Sequence, residues 1–183
     1  MLLKRSMIVC KITLFLLGIL IGPLAFAYDG MDCVNDAVKA YPNITNGIVT
    51  KLCSNASSVE PVKCFVKIAD IDNTIPVGLS SDLCSRTTSH AKTLRCYVDA
   101  SEQGYNRGQS VNLCAGSGSQ EPAKCTANIS KVDGDINRGI AVDVCSQSAN
   151  ANKTIACYAK AASTFNRGLA MTLCGAKPIP LDY

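Results

Sequence analysis

Cysteines are the residues that could do chemistry in this chain, and their spacing decides which chemistry is available. From Cys33 onward, successive cysteines are separated alternately by 17–20 and by 11–12 residues. Structural zinc sites place cysteines two to four residues apart, and thiol oxidoreductases use a Cys-x-x-Cys pair of lowered pKa. Neither spacing occurs, so we predict no bound metal, no cofactor and no redox catalysis. The remaining chemistry is structural disulfide formation.

The N-terminal residues favour export to an oxidising compartment. A basic start precedes an apolar run from Ile12 to Ala27, which ends in the small-x-small form Ala25-Phe26-Ala27. We predict that residues 1–27 are a cleaved signal peptide and that the protein is secreted or periplasmic. Cleavage removes Cys10 and leaves ten cysteines, an even number that suits a disulfide framework. An uncleaved membrane anchor is disfavoured, because the run is near the short limit for a span.

Removing the predicted signal peptide makes the chain nearly neutral. The full sequence has 18 basic and 14 acidic residues, and three of the basic ones precede Ala27. Nucleic-acid binding needs a basic face that neutralises phosphates, so we predict no nucleic-acid partner. We also predict no stable membrane span after cleavage. With no tryptophan and few aromatic residues, covalent cross-links are expected to supplement a modest core.

The cysteines belong to a unit that is written five times. Its first cysteines are Cys33, Cys64, Cys96, Cys125 and Cys157, and its second cysteines are Cys53, Cys84, Cys114, Cys145 and Cys174. A glycine stands six residues before every second cysteine, and Leu or Val immediately before it. The apolar positions in each half recur at the spacing of an amphipathic helix. The sequence therefore predicts an all-α fold of five disulfide-stapled α-hairpin repeats, a short α-solenoid.

The predicted domain covers residues 28–177, with repeats starting near residues 33, 64, 96, 125 and 157, and residues 178–183 form an extended tail. Helix starts are indicated by Asn106, Asn137 and Asn166, with Thr45 at the matching place in the first copy. We attribute the repeated glycine to close approach of a neighbouring helix backbone, with a non-helical backbone angle near the turn as the alternative, since glycine otherwise lowers helix propensity. The periodicity leaves open whether the repeats form a stack or a closed bundle.

Arm length predicts how the cysteines pair. In the last copy, both arms between the turn and the cysteines have about the same length, so the outer ends of an antiparallel hairpin should meet. The predicted pairs are Cys33–Cys53, Cys64–Cys84, Cys96–Cys114, Cys125–Cys145 and Cys157–Cys174. A rival scheme joins cysteines across the loops between repeats and leaves Cys33 and Cys174 unpaired at opposite ends.

Arginine recurs at one place in the last three copies, as Arg107, Arg138 and Arg167 within Asn-Arg-Gly. Stacked hairpins would align these side chains about 10 Å apart along one edge. A structural hypothesis is that each arginine donates to the last carbonyls of the first helix in its own hairpin. A functional hypothesis is that the three form a ladder for repeated anionic groups, as in an anionic glycan or an acidic protein segment.

No catalytic residues are predicted. The mature chain has one histidine, His90, which is interpreted as a solvated residue of the polar linker Ser85–Lys92, and Asp133 and Asp135 are interpreted as turn residues. We therefore expect an exported, non-catalytic binding or structural module and not an enzyme. The alternatives are a small secreted hydrolase of lysozyme-like type, which would need a cleft with perturbed carboxylates, and a membrane-active helical disulfide protein.

Overall fold

The computed structural model describes residues 27–175, and this part of the chain contains ten α-helices and no strand. The helices are α1 (Gly30–Ala40), α2 (Asn46–Cys53), α3 (Glu60–Ile71), α4 (Val77–Cys84), α5 (His90–Glu102), α6 (Arg107–Cys114), α7 (Glu121–Ile129), α8 (Arg138–Cys145), α9 (Ala151–Ala162) and α10 (Arg167–Cys174). The predicted all-α class is confirmed. The predicted signal peptide, apart from Ala27, and the predicted tail 178–183 lie outside the described residues.

Consecutive helices pair into five hairpins, repeats 1 to 5, and a disulfide closes the open end of each. The pairs are Cys33–Cys53, Cys64–Cys84, Cys96–Cys114, Cys125–Cys145 and Cys157–Cys174. Their Cα atoms lie 5.4–5.7 Å apart, within the usual range for a disulfide. These are the pairs predicted from arm length, and the rival scheme across the loops between repeats is excluded.

The repeats stack in order into an open solenoid of two layers. Odd-numbered helices α1 to α9 contact one another in sequence and form one layer, while even-numbered helices α2 to α10 form the other. Within residues 27–175, helices contact each other only inside a repeat or between adjacent repeats. The first and last repeats do not touch, so the arrangement is a stack and not a closed bundle. No helix in this described part is both long and apolar enough to span a membrane.

In repeats 1 to 4, the disulfide and the residue before the second cysteine occupy the centre of the stack. Leu52, Leu83, Leu113 and Val144 are fully buried, and so are most of the bonded cysteines. Each of these residues lies on an even-numbered helix that packs on its hairpin partner and on the even-numbered helix of the next repeat. The core is therefore a series of small apolar layers, each divided between two repeats, as expected for a solenoid.

Asparagine caps begin three of the even-numbered helices, as predicted. The Oδ1 atoms of Asn106, Asn137 and Asn166 each accept from a backbone N–H three residues later at 2.9 Å. This satisfies one of the open donors of the first turn. Thr45 takes the matching N-cap position at the start of α2, as predicted, but its side chain makes no cap hydrogen bond.

The close approach predicted to explain the repeated glycine is wrong, and none of the five glycines has the left-handed φ that would explain it instead. A Cβ atom at Gly47 or Gly78 would meet nothing within 4 Å, so no neighbouring backbone requires glycine there. At the three Asn-capped helices a Cβ would meet only the capping Asn Oδ1, at 3.4–3.5 Å. A real backbone approach occurs elsewhere, at Gly116, where φ is +63° and a Cβ would lie 3.1 Å from the Ser85 carbonyl oxygen.

The repeats alternate between two types, so the structural unit is a double repeat. Repeats 2 and 4 open with Glu-Pro at residues 60 and 121 and place an aspartate after their first helix at residues 72 and 133. Repeats 3 and 5, which come next in the stack, each have a tyrosine directly after the first cysteine, at residues 97 and 158. The glutamates, the aspartates and the tyrosines each recur after 61 residues. The junctions between repeats 2 and 3 and between repeats 4 and 5 are therefore equivalent.

Candidate functional site

The arginines of the predicted ladder bind the repeat that precedes them. Arg107, the first residue of α6, donates from Nε and Nη2 to the two carboxylate oxygens of Asp72, at 2.6 and 3.0 Å. The Tyr97 hydroxyl donates to the same carboxylate at 2.8 Å. Asp72 lies just after α3, so these bonds join repeat 3 to repeat 2. Arg107 does not donate to the end of the first helix of its own hairpin, and that predicted partner is wrong.

The same three-residue cluster recurs between repeats 4 and 5. Arg167 donates to both oxygens of Asp133 at 2.6 Å, and the Tyr158 hydroxyl donates to Asp133 at 2.8 Å. Asp135, which is exposed, lies 3.7 Å from the Arg167 guanidinium. Asp133 is thus the acceptor for a neighbouring repeat in addition to being a turn residue.

Electrostatics keep both clusters in one protonation state near neutral pH. Hydrogen bonding from Arg107 is the main factor holding the pKa of Asp72 well below its usual value, and Arg167 likewise lowers the pKa of Asp133 to about 2. Burial, followed by the bond to aspartate, raises the pKa of Tyr97 and of Tyr158 to about 12. Each cluster therefore holds an ionised carboxylate and a neutral phenol, and no proton is poised for transfer near pH 7.

Arg138, between the other two arginines, has a different environment. It donates from Nη1 to the carbonyl oxygen of Gly104, and its guanidinium carbon lies 5.6 Å from the centre of the Tyr105 ring. Among residues 27–175 no carboxylate forms an ion pair with it. The outer two arginines are neutralised by aspartate, whereas the charge of Arg138 is not.

Three cavities follow one another at the last three junctions, and each is lined by one of the three arginines. The first lies between repeats 2 and 3 and has a volume of about 560 Å³, with Arg107 in its wall. The middle one lies between repeats 3 and 4, with a volume of about 340 Å³ and Arg138. The last lies between repeats 4 and 5, with a volume of about 530 Å³ and Arg167. We call these three cavities the cavity row.

The two outer cavities have equivalent walls. Each is lined by an aspartate, a tyrosine hydroxyl, a capping asparagine and an arginine, with Tyr105 in the first and Phe165 in the last as the aromatic wall. Tyr105 also lines the middle cavity. Such walls offer hydrogen-bond donors and acceptors beside a flat apolar ring, a combination that binds polar ligands with an apolar face.

His90 lies away from the cavity row and has a structural partner. It is the first residue of α5, and its backbone N–H and Nδ1 lie 2.8 and 2.7 Å from Glu60 Oε2. The backbone bond is the largest factor lowering the pKa of Glu60 to about 2. Glu121 accepts in the same way from the Ala151 N–H at 2.9 Å. The interpretation of His90 as a solvated linker residue is wrong, since it begins a helix that Glu60 caps from the preceding repeat.

Acid should weaken these junctions in a predictable pH range. Four junction carboxylates have lowered pKa values: Glu60, Asp72, Glu121 and Asp133. A lowered folded-state pKa adds stability that is present above the unfolded value of about 4 and is lost as pH falls through the folded value. We expect the urea midpoint, followed by circular dichroism, to be nearly constant from pH 7 to about 5 and to fall between about pH 5 and 2.

The control for this acid sensitivity is the double variant Asp72→Asn, Asp133→Asn. It should be less stable than the wild type at pH 7 and should lose less stability on acidification, because two of the four titrating groups are absent. An identical wild-type midpoint at pH 7 and pH 2 would contradict the assignment of these carboxylates to the junctions.

Sequence reasoning identified the arginines but missed Asp72, Tyr97 and Tyr158, which complete the outer clusters. A sequence signal for these residues was available, because the aspartate and the tyrosine each recur once after 61 residues, the length of a double repeat. In the described part of the chain, no three His, Cys, Asp or Glu side chains are grouped so that they could hold a metal ion. Comparison of the chain with protein-family models, with curated proteins and with solved structures finds no match.

Proposed function

We propose that this protein is an exported, non-catalytic binding module that holds an extended glycan with an acidic group along the cavity row. The observation that carries the proposal is the alignment of three cavities at successive junctions, each with an arginine of the predicted ladder in its wall. The five disulfides support an oxidising compartment outside the cytosol.

An extended ligand suits the spacing of the row. Adjacent packed helices lie about 8–10 Å apart, so the three cavities extend over roughly 20 Å. A polymer that occupies several weak sites at once gains affinity by multivalency, without strong contacts at any one of them. Solenoids commonly present such repeated surfaces to long partners.

A glycan suits the chemistry of the walls. A sugar ring offers C–H groups on its face, which pack on aromatic rings such as Tyr105 and Phe165, and hydroxyls at its edge. Those hydroxyls can bond to the aspartate, asparagine and arginine side chains that line the outer cavities. An acidic peptide, the other ligand considered, would depend on its carboxylates, and among residues 27–175 one arginine of the row, Arg138, has no carboxylate partner and is able to receive them.

Charge assigns the acidic group of the ligand to the middle cavity. Arg138 is the arginine of the row without a carboxylate partner among residues 27–175, and no carboxylate lines its cavity. In the outer cavities Asp72 and Asp133 already pair with the arginines, and Glu102 adds a negative charge to the first, so a ligand charged along its whole length would find no free cation among the described residues that line them. The favoured glycan therefore has sparse negative charge.

The pKa values support binding without hydrolysis. Glycoside hydrolysis requires a carboxylic acid of raised pKa as the proton donor, paired with a second carboxylate. The carboxylates with shifted values at these junctions, including Asp72 and Asp133, all have lowered pKa values. This favours the binding module over the lysozyme-like alternative.

Calorimetric titration with an oligosaccharide of N-acetylhexosamines that carries a single internal uronic acid tests the proposal. We expect Arg138→Gln to weaken binding by at least about tenfold, as is usual on loss of a charge-assisted contact. The control Arg95→Gln removes an exposed arginine that pairs with Asp99 outside the row, and it should bind like the wild type. The carboxyl-reduced oligosaccharide should bind the wild type and Arg138→Gln equally.

Two results would overturn the proposal. One is that neither the acidic nor the carboxyl-reduced oligosaccharide binds the wild type. The other is that Arg138→Gln binds the acidic form as tightly as the wild type does. Binding of an acidic peptide in place of both oligosaccharides would replace the glycan with a protein partner.

A further inference from the structure

The last repeat exposes an apolar face that the other repeats bury. Leu173 is 57% exposed, whereas its counterparts Leu52, Leu83, Leu113 and Val144 are each 0% exposed. Leu169, one turn earlier on the same side of α10, is 42% exposed. In repeats 1 to 4 the helix that carries this position packs against the matching helix of the next repeat. Within residues 27–175, α10 contacts only α8 and α9, so its outer side has no covering helix.

This surface, the α10 face, consists of Leu169 and Leu173. Its helix carries one charged side chain, Arg167, whose guanidinium is bound to Asp133 of the preceding repeat. Two copies of the α10 face can therefore approach each other without opposing charges on the helix. The exposed side chains are leucines, and burying such side chains favours association.

We propose that the α10 face is an interface between two copies of this chain, packed tail to tail about a two-fold axis. It continues the interface that already joins each repeat to the next, because the same position is buried at every internal junction. A two-fold arrangement makes the surface self-complementary, as in most homodimers. This inference is independent of the cavity row.

A head-to-tail contact through repeat 1 would lack the polar bonds that join repeats 3 to 5 to the repeats before them. Repeats 3 to 5 bind the preceding repeat through Arg107, Arg138 and Arg167, and repeat 1 has Asn46 at that position. It also has Val34 where repeats 3 and 5 have the tyrosines that bond to aspartate. Its outer surface therefore lacks the groups that join an odd-numbered repeat to the one before it.

Sedimentation equilibrium of the exported protein, produced from the full chain, tests the proposed dimer. We expect the wild type to approach twice the monomer mass as concentration rises, and Leu173→Glu and Leu169→Glu to raise the dimer dissociation constant by at least about tenfold. Both side chains are exposed in the monomer, so both variants should keep the wild-type circular dichroism. The control Val66→Glu changes a 45% exposed residue on α3 and should leave the dimer intact.

Three outcomes would overturn the proposal. The first is a wild type that stays monomeric at all accessible concentrations, whatever else covers the α10 face. The second is a dimer that persists unchanged in both glutamate variants. The third is growth beyond the dimer that Met31→Glu abolishes, because Met31 is 65% exposed on repeat 1 and its involvement would indicate head-to-tail stacking.

Discussion

Reduction of the five disulfides is expected to unfold this protein at 37 °C. Each bond closes a segment of 17–20 residues. Closing a loop of this size adds about 3 kcal/mol in the chain-entropy model. Five closures give an upper estimate of about 15 kcal/mol, which is at the upper end of the stability of natural domains, about 5–15 kcal/mol. The even-numbered helices have eight residues each, and isolated helices this short are marginal in water.

The measurement is far-ultraviolet circular dichroism before and after complete reduction under native conditions. Loss of most helical signal is expected, and its recovery on reoxidation would show that the effect is reversible. A reduced protein that keeps its helical signal at 37 °C would show that side-chain packing alone maintains the stack, which contradicts the prediction.

Removing single disulfides separates local from shared stabilisation. Cys96→Ala with Cys114→Ala acts in repeat 3, which has a neighbour on both sides, and both sulfurs are fully buried. Cys157→Ala with Cys174→Ala acts in repeat 5, which has one neighbour and a partly exposed Cys174. Because a solenoid is stabilised by nearest-neighbour contacts, the central pair should cost more. Equal losses would indicate that the repeats unfold independently.

The hairpins and their disulfides were predictable because they depend on local periodicity. Two arms of equal length between Cys157 and Cys174 leave little choice about which ends meet. The five-fold recurrence then extends that pairing to the whole chain. Neither step requires knowledge of how one repeat packs on another.

The junctions were not predictable in the same way, because their partners lie on different repeats. Arg107 and Asp72 are 35 residues apart and belong to different repeats. Comparing each copy with the next shows which positions recur, but it does not show which residues of two repeats are in contact. Arg138 occupies the same place in its repeat as Arg107, yet it bonds to a backbone carbonyl, because the repeat before it has no aspartate after its first helix. Adjacent copies differ and alternate copies agree, so the relevant period was the double repeat.

The position before the second cysteine should show how much each junction contributes to stability. Leu113→Ala is expected to lower the free energy of unfolding by about 2–5 kcal/mol, as is usual for a fully buried leucine. Leu173→Ala, at the same place in repeat 5, should cost less than about 1 kcal/mol when measured on the monomer, because its side chain is mostly exposed. Urea denaturation at low protein concentration measures both.

The comparison isolates the next repeat as the cause of the difference. Both leucines precede a bonded cysteine at the end of an eight-residue helix, so local helix propensity and the change in side chain are matched. Similar costs at the two positions would mean that packing inside a hairpin, and not stacking between hairpins, supplies most of the stability. A cost for Leu173→Ala that rises with protein concentration would instead show that a second copy takes the place of the missing repeat, since binding to the folded state adds to its stability.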